Sequence, residues 1–247
     1  MNITKSLCAI LVLSVAVSAP RAAAMPSFME RAYADQKKAC RAGFDKSYVK
    51  AGIFTLMTYQ RFKAPSEKIH IYIEGDGRAW ETRHRLSDDP TPSNPVALAL
   101  ATADPSDAVV YIARPGQFPA PDSAGCDPVY WSSRRFAPEV VEAFDKAIDM
   151  IKERSGARYV ELVGYSGGAA VGILVAARRT DVASIRTIAG NLEPEAVNRY
   201  HNVSALAGSL DPAGCAAAIT NIPQRHFAGA CDKVIPLSVT ESFAARI

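Results

Sequence analysis

Residues 159–178 place a serine between two apolar elements of different period. Tyr159-Val160-Glu161-Leu162-Val163 reads as a strand, and an Ala-, Val- and Leu-rich helix is expected from Gly168 to Arg178. The five residues linking them are Gly164-Tyr165-Ser166-Gly167-Gly168. A chain that turns from strand to helix so sharply holds its middle residue in a strained conformation. Side chains two positions to either side would collide, so the turn demands small residues where Gly164 and Gly168 stand. Ser166 is then lifted clear of the sheet at a helix N-terminus, where free N–H groups and the helix dipole favour negative charge. A glycine turn with an incidental serine is the plainer reading of the pentapeptide alone; its position between strand and helix argues against that.

The rest of the chain fits a sheet that could carry such a turn. Strands are expected at Ile53–Phe62, Lys68–Glu74, Ala108–Ala113, Ser184–Ala189 and Gln224–Ala228. The run Ala108-Val109-Val110-Tyr111-Ile112-Ala113 is continuously apolar, as in a strand covered on both faces. Pro138 opens a helix to about Arg154, with Val141, Phe144, Ile148 and Ile151 on one stripe and Gly156 as its stop. Asn94 and Pro95 are read as the cap and first position of a short helix, and Leu237–Ile247 as a last helix. Residues 25–50 are read as an N-terminal helix or arm, and 78–95 and 114–137 as long loops. Strands alternating with helices imply right-handed crossovers and a mostly parallel sheet. The expected architecture is α/β, an α/β-hydrolase fold with a central sheet flanked by helices, in one domain over residues 25–247.

Two further motifs carry chemistry. Glu74-Gly75-Asp76-Gly77 ends the second strand. Acyl transfer needs two N–H donors aimed at the developing oxyanion. Gly167, following the serine, is expected to supply one, and the loop Asp76-Gly77 the other, with Asp76 favoured; a plain turn is the alternative. Gly229-Ala230-Cys231-Asp232 follows a late strand, and Asp232 is the expected acid that orients a histidine. A helix-capping aspartate is the alternative there, and Glu193 is a weaker candidate acid. The order serine, acid, histidine then requires a histidine after Asp232, and none follows. His70 and His226 lie within strands, His201 in a polar stretch, and His84 on the loop after the oxyanion glycines. The expectation is a C-terminally incomplete chain, with the last strand and the histidine beyond residue 247.

Composition narrows the partners. Residues 1–24 read as a secretory signal: basic Lys5, an apolar run Leu7–Val17, and Ala22-Ala23-Ala24 for cleavage. Its removal leaves 26 of the 28 basic residues against 25 acidic ones, without basic runs, which argues against nucleic-acid binding. No stable membrane span is expected after cleavage. The exported part keeps Cys40, Cys126, Cys215 and Cys231, whose three possible pairings the sequence does not rank. No metal or cofactor motif is present.

Several blocks carry a resemblance. Residues 71–80 (Ile71 to Trp80), Asp89-Pro90-Thr91-Pro92, Ala113-Arg114-Pro115, Tyr130-Trp131, Arg135-Phe136-Ala137-Pro138, the Ser166 elbow and Ala189-Gly190-Asn191-Leu192 resemble an exported α/β-hydrolase family of proteobacteria over residues 68–247. The resemblance implies an exported serine hydrolase of a family without an established substrate; the leading expectation is a periplasmic or secreted serine hydrolase acting on a small carboxylic ester. The resemblance also implies a terminal histidine, and a cysteine where this chain has Gly116. A catalytically dead copy and a non-catalytic α/β binding module are the competing readings.

Overall fold

In the computed structural model, which describes residues 28–120 and 126–247, the centre of the molecule is a seven-stranded sheet. Its strands are β1 (Asp45–Ala51), β2 (Phe54–Phe62), β3 (Lys68–Ile73), β6 (Ala108–Ile112), β7 (Tyr159–Tyr165), β8 (Val182–Ile188) and β9 (Gln224–Phe227). They lie in the order β1-β2-β6-β3-β7-β8-β9. The hairpin β1-β2 and its pairing with β6 are antiparallel; every pairing from β6 to β9 is parallel. A separate two-stranded ribbon joins β4 (Trp80–Thr82) to β5 (Arg85–Leu86).

Period-two alternation sorts the central strands between two cores. Ile69, Ile71 and Ile73 of β3 and Val110 and Ile112 of β6 face one side, against α3 (Pro138–Ser155) and α4 (Gly167–Ala176). Tyr72, Val109 and Tyr111 face the other, against α1 (Phe28–Arg41) and α2 (Val96–Ala103). Helices on both faces explain why β6 is apolar at every position. All ten residues of α4 are buried. Its glycines cost about 1 kcal/mol each as helix formers, whereas burying each of Val171, Ile173 and Leu174 returns about 1.5–3 kcal/mol. Packing therefore holds α4, not intrinsic propensity.

The expected strands are found, with ends shifted by a few residues. Gly156 ends α3 in the left-handed conformation at φ 70°, and Val141, Phe144, Ile148 and Ile151 are buried as the stripe required. Other readings need correction. Residues 45–51 form strand β1, because their partner is the adjacent β2 and a two-residue turn at Gly52 (φ +59°) suffices to join them. The 78–95 loop contains the β4-β5 ribbon. Asn94 does not cap α2, whose N-cap is Pro95 without a side-chain hydrogen bond. Helix α5 (Pro194–His201) and 3-10 turns at Pro128–Trp131 and Pro212–Ile219 are additional. α6 (Leu237–Ala244) is the last helix. β9 bounds the sheet, and its outer edge pairs with no strand among the described residues. Residues 1–24 lie outside the described residues.

Candidate active site

The sheet order reverses around β3: the chain passes from it to β6 on one side and then to β7 on the other. Crevices at the carboxyl ends of strands beside such a reversal are where open α/β sheets bind ligands. β3 ends there in Glu74-Gly75-Asp76-Gly77, and β7 ends in the elbow.

Ser166 sits at φ 51°, ψ −118°, a region that non-glycine residues occupy at a cost of about 1–3 kcal/mol. Neighbours on three sides fix it. Its N–H donates to the Ile188 carbonyl at 2.9 Å, and its carbonyl accepts from the N–H groups of Ala169 and Asn191, each at 3.1 Å. The glycines are required by contact. A Cβ on Gly164 would lie 2.4 Å from the Ala169 Cα, and one on Gly168 would lie 2.3 Å from the Ile73 carbonyl oxygen. The elbow is thereby wedged onto the end of β3. Gly75 is close as well: a Cβ there would lie 3.3 Å from that of Ser166.

The Gly75 turn is clamped at both ends. Its N–H donates to Glu74 Oε1 at 2.9 Å, and its carbonyl accepts from Gln117 Nε2 at 2.9 Å. Gln117 in turn accepts from the Arg114 N–H at 3.1 Å. Gly77 has φ +65°, and any Cβ there would lie 2.1 Å from the Pro90 carbonyl oxygen. Among the described residues, no acceptor takes the N–H of Asp76, Gly77 or Gly167.

The Asp76 side chain has its own structure. Its Oδ1 accepts from Arg114 Nη1 at 3.1 Å and its Oδ2 from Arg135 Nη1 at 2.8 Å. Burial alone would raise this carboxyl, but the guanidinium groups of Arg135 and Arg114 overcome it and hold the value below the usual carboxylate range. The carboxylate lies against the elbow, since a Cβ on Gly167 would sit 2.1 Å from Oδ1. Two positive charges on one negative charge leave a net positive centre beside Ser166, which the buried Glu74 carboxyl nearby offsets in part. Neither arginine was legible as a site residue in the sequence, because each stands in a Pro-rich loop far along the chain from its acid.

Glu74 is buried to 1% exposure, and its Oε2 has no hydrogen-bond partner among the described residues. Burial pushes its carboxyl up to about 7, against weaker lowering by nearby N–H groups of Gly75, Ala97 and Leu98. Tyr165 packs on Gly75, and burial, then the charges of Glu74 and Asp232, push its hydroxyl up.

Asp232 lies on the loop after β9. Its Oδ1 accepts from the N–H groups of Val234 at 2.7 Å and Ile235 at 3.0 Å, so one oxygen braces the loop. Glu193, the other candidate acid, is bound by Ser242 and Arg246, each at 2.8 Å, and serves to dock α6. Among the described residues, no histidine is hydrogen-bonded to Ser166. His70 bridges Asp104 and Glu161 in the sheet. His226 Nδ1 lies 2.8 Å from the Thr187 hydroxyl, with its ring against Phe243. His201 lies 2.7 Å from the Val234 carbonyl oxygen. His84 lines a cavity of about 1000 Å³ that also takes in Arg135. Cys40, Cys126, Cys215 and Cys231 carry free thiols. Gly116, where the resemblance implies a cysteine, has φ +82°, and a Cβ there would lie 2.7 Å from the Trp131 ring. Among the described residues, no group of side chains could hold a metal ion.

No known family profile and no curated protein matches the chain. Solved structures do. An α/β serine hydrolase homologue from Coxiella burnetii superposes with a TM-score of 0.56 at 17% identity, covering 82% of each chain. This is an α/β-hydrolase fold. The α/β-hydrolase scaffold is shared with an esterase of Pyrococcus furiosus, with a TM-score of 0.57 at 10% identity over 84% of this chain and 78% of that one. An acylaminoacyl peptidase of Pyrococcus horikoshii gives a TM-score of 0.57 at 13% identity over 82% of this chain and 34% of the larger one. α/β-hydrolase neighbours at such identities share architecture, and chemistry must be argued from the site.

Proposed function

We propose that this protein is a serine hydrolase of carboxylic esters, exported by residues 1–24 to the periplasm or beyond. Ser166 Oγ attacks the ester carbonyl. The N–H groups of Gly167 and of the Asp76-Gly77 turn receive the oxyanion, and the net positive charge of Arg114, Arg135 and Asp76 favours it further. Asp232 orients the imidazole that takes the serine proton and returns it to the leaving alcohol. None of His70, His84, His201 and His226 is hydrogen-bonded to Ser166 in this arrangement. The observation that carries the reading is the backbone of Ser166, held at φ 51° by glycine contacts with the end of β3.

A fluorophosphonate probe tests it. Labelling is expected to be slow in the chain alone, to accelerate with added imidazole, and to vanish in Ser166→Ala. Labelling that survives the substitution, or none even with imidazole, overturns the assignment. The second outcome would favour a binding module that uses the same crevice without turnover. N-terminal sequencing of the exported protein is expected to begin at Met25.

A further inference from the structure

We propose that the cavity lined by Arg135, whose guanidinium reaches the elbow through Asp76, binds a carboxylate on the substrate, so that the ester hydrolysed is a half-ester of a dicarboxylic acid or a similar acidic ester. The inference rests on the serine hydrolase reading and adds a substrate class to it. It arises from a surplus of positive charge at one wall of the cavity of about 1000 Å³.

Three features define that wall. Arg135 reaches both the cavity and the elbow: it binds the Asp76 carboxylate, and that carboxylate packs on Gly167. Its Nε donates to the Ser132 carbonyl at 2.8 Å and its Nη1 to Asp76 at 2.8 Å, while Nη2 has no acceptor among the described residues. The guanidinium is therefore already oriented, and a ligand carboxylate meets it with little loss of rotamer freedom. Arg114 alone suffices to balance the charge of Asp76, which leaves the charge of Arg135 in surplus.

The remaining charges of the cavity do not cancel that surplus. Glu81 is its one acid, and Arg78 and Arg85 both pair with it. Arg83 also lines the cavity and has no acidic partner among the described residues. Trp80, Leu86 and Leu206 supply an apolar surface. A ligand with a short apolar chain between ester and carboxylate would cover that surface and place its charge at Arg135.

Binding can be read without turnover. Calorimetric titration of full-length Ser166→Ala with monoethyl glutarate and with diethyl glutarate compares the same chain with and without the charge. The half-ester is expected to bind about tenfold more tightly, the scale of one hydrogen bond to a charged group. Arg135→Gln is expected to bring the two within about twofold of each other. Should that variant fail to fold, the ratio in Ser166→Ala itself, taken at low and at high salt, carries the test: it is expected to fall toward one as salt screens the charge. Equal affinities at low salt, or a preference indifferent to both salt and Arg135, overturns the proposal. Such a result leaves the labelling of Ser166 untouched, and failed labelling leaves the binding ratio untouched, so the two failures are distinguishable.

Discussion

The elbow and the acid loop end two parallel strands of one sheet, yet they are held by opposite means. Around Ser166 the backbone is fixed by backbone. Gly164 and Gly168 allow main chain to pack on main chain, and every residue of the following helix is buried. Around Asp232 a few side-chain contacts do the holding: Asp232 Oδ1 on two N–H groups, and His201 on the Val234 carbonyl. The strand beneath it, β9, lies at the sheet edge with Phe227 and the loop residue Val234 exposed. A position fixed by packing on all sides is rigid but intolerant of substitution. One fixed by a side-chain turn keeps its geometry through any residue that offers the same oxygen.

The sharpest break in that comparison is Gly168→Ala. The added methyl meets two backbone carbonyls that cannot move independently, so a loss of about 3 kcal/mol is expected, read from the urea midpoint. Asp76→Asn comes next. It leaves Arg114 and Arg135 without their anion, and because Arg135 still reaches solvent, the expected loss is about 2 kcal/mol, below that of a fully buried pair. Its sign with pH follows from a lowered folded-state value. The stabilisation is present above the unfolded carboxylate range near about pH 4 and lost below it. Wild type and variant should therefore converge in thermal stability as the pH falls under that range.

Glu74→Gln runs the other way. The folded carboxyl is pushed up to about 7, above its ordinary value of 4.5, so the folded state holds the proton more tightly. Stability of the parent chain is expected to fall between about pH 4.5 and 7, by about 3 kcal/mol from this group, and the variant should lack that fall. The smallest effect is at the acid loop. Asp232→Asn keeps the oxygen that braces Val234 and Ile235, so stability should change by under about 0.5 kcal/mol. Imidazole-dependent labelling of Ser166 should nonetheless fall. A large drop in Tm would show that the loop needs the charge for its fold.

The same contrast explains what the sequence displayed. The elbow was legible because glycines at fixed offsets between a strand and a helix have few other uses. The central parallel strands were legible from apolar runs such as Val109 to Ile112. Strand β1 was not, since Asp45, Lys46, Ser47 and Lys50 make it polar on both faces and its partner lies on one side only. The pairing of Asp76 with Arg114 and Arg135 spans 38 and 59 residues, and no local pattern announces it. Asp232 was legible as an acid after a strand, but its second duty to Val234 and Ile235 appears only in three dimensions.

The contact between Gly167 and Asp76 also limits the paths by which such a chain can change. A side chain at position 167 needs the carboxylate at 76 withdrawn, and withdrawing it strands two arginines. Positions 76, 114, 135 and 167 therefore form an interlock in which single steps are costly and joint steps are cheap. Gly167→Ala and Asp76→Gly should each be harmful alone, and together less harmful than their sum. A lineage could leave this arrangement only by altering several distant codons at once, which turns one short contact into a barrier to drift.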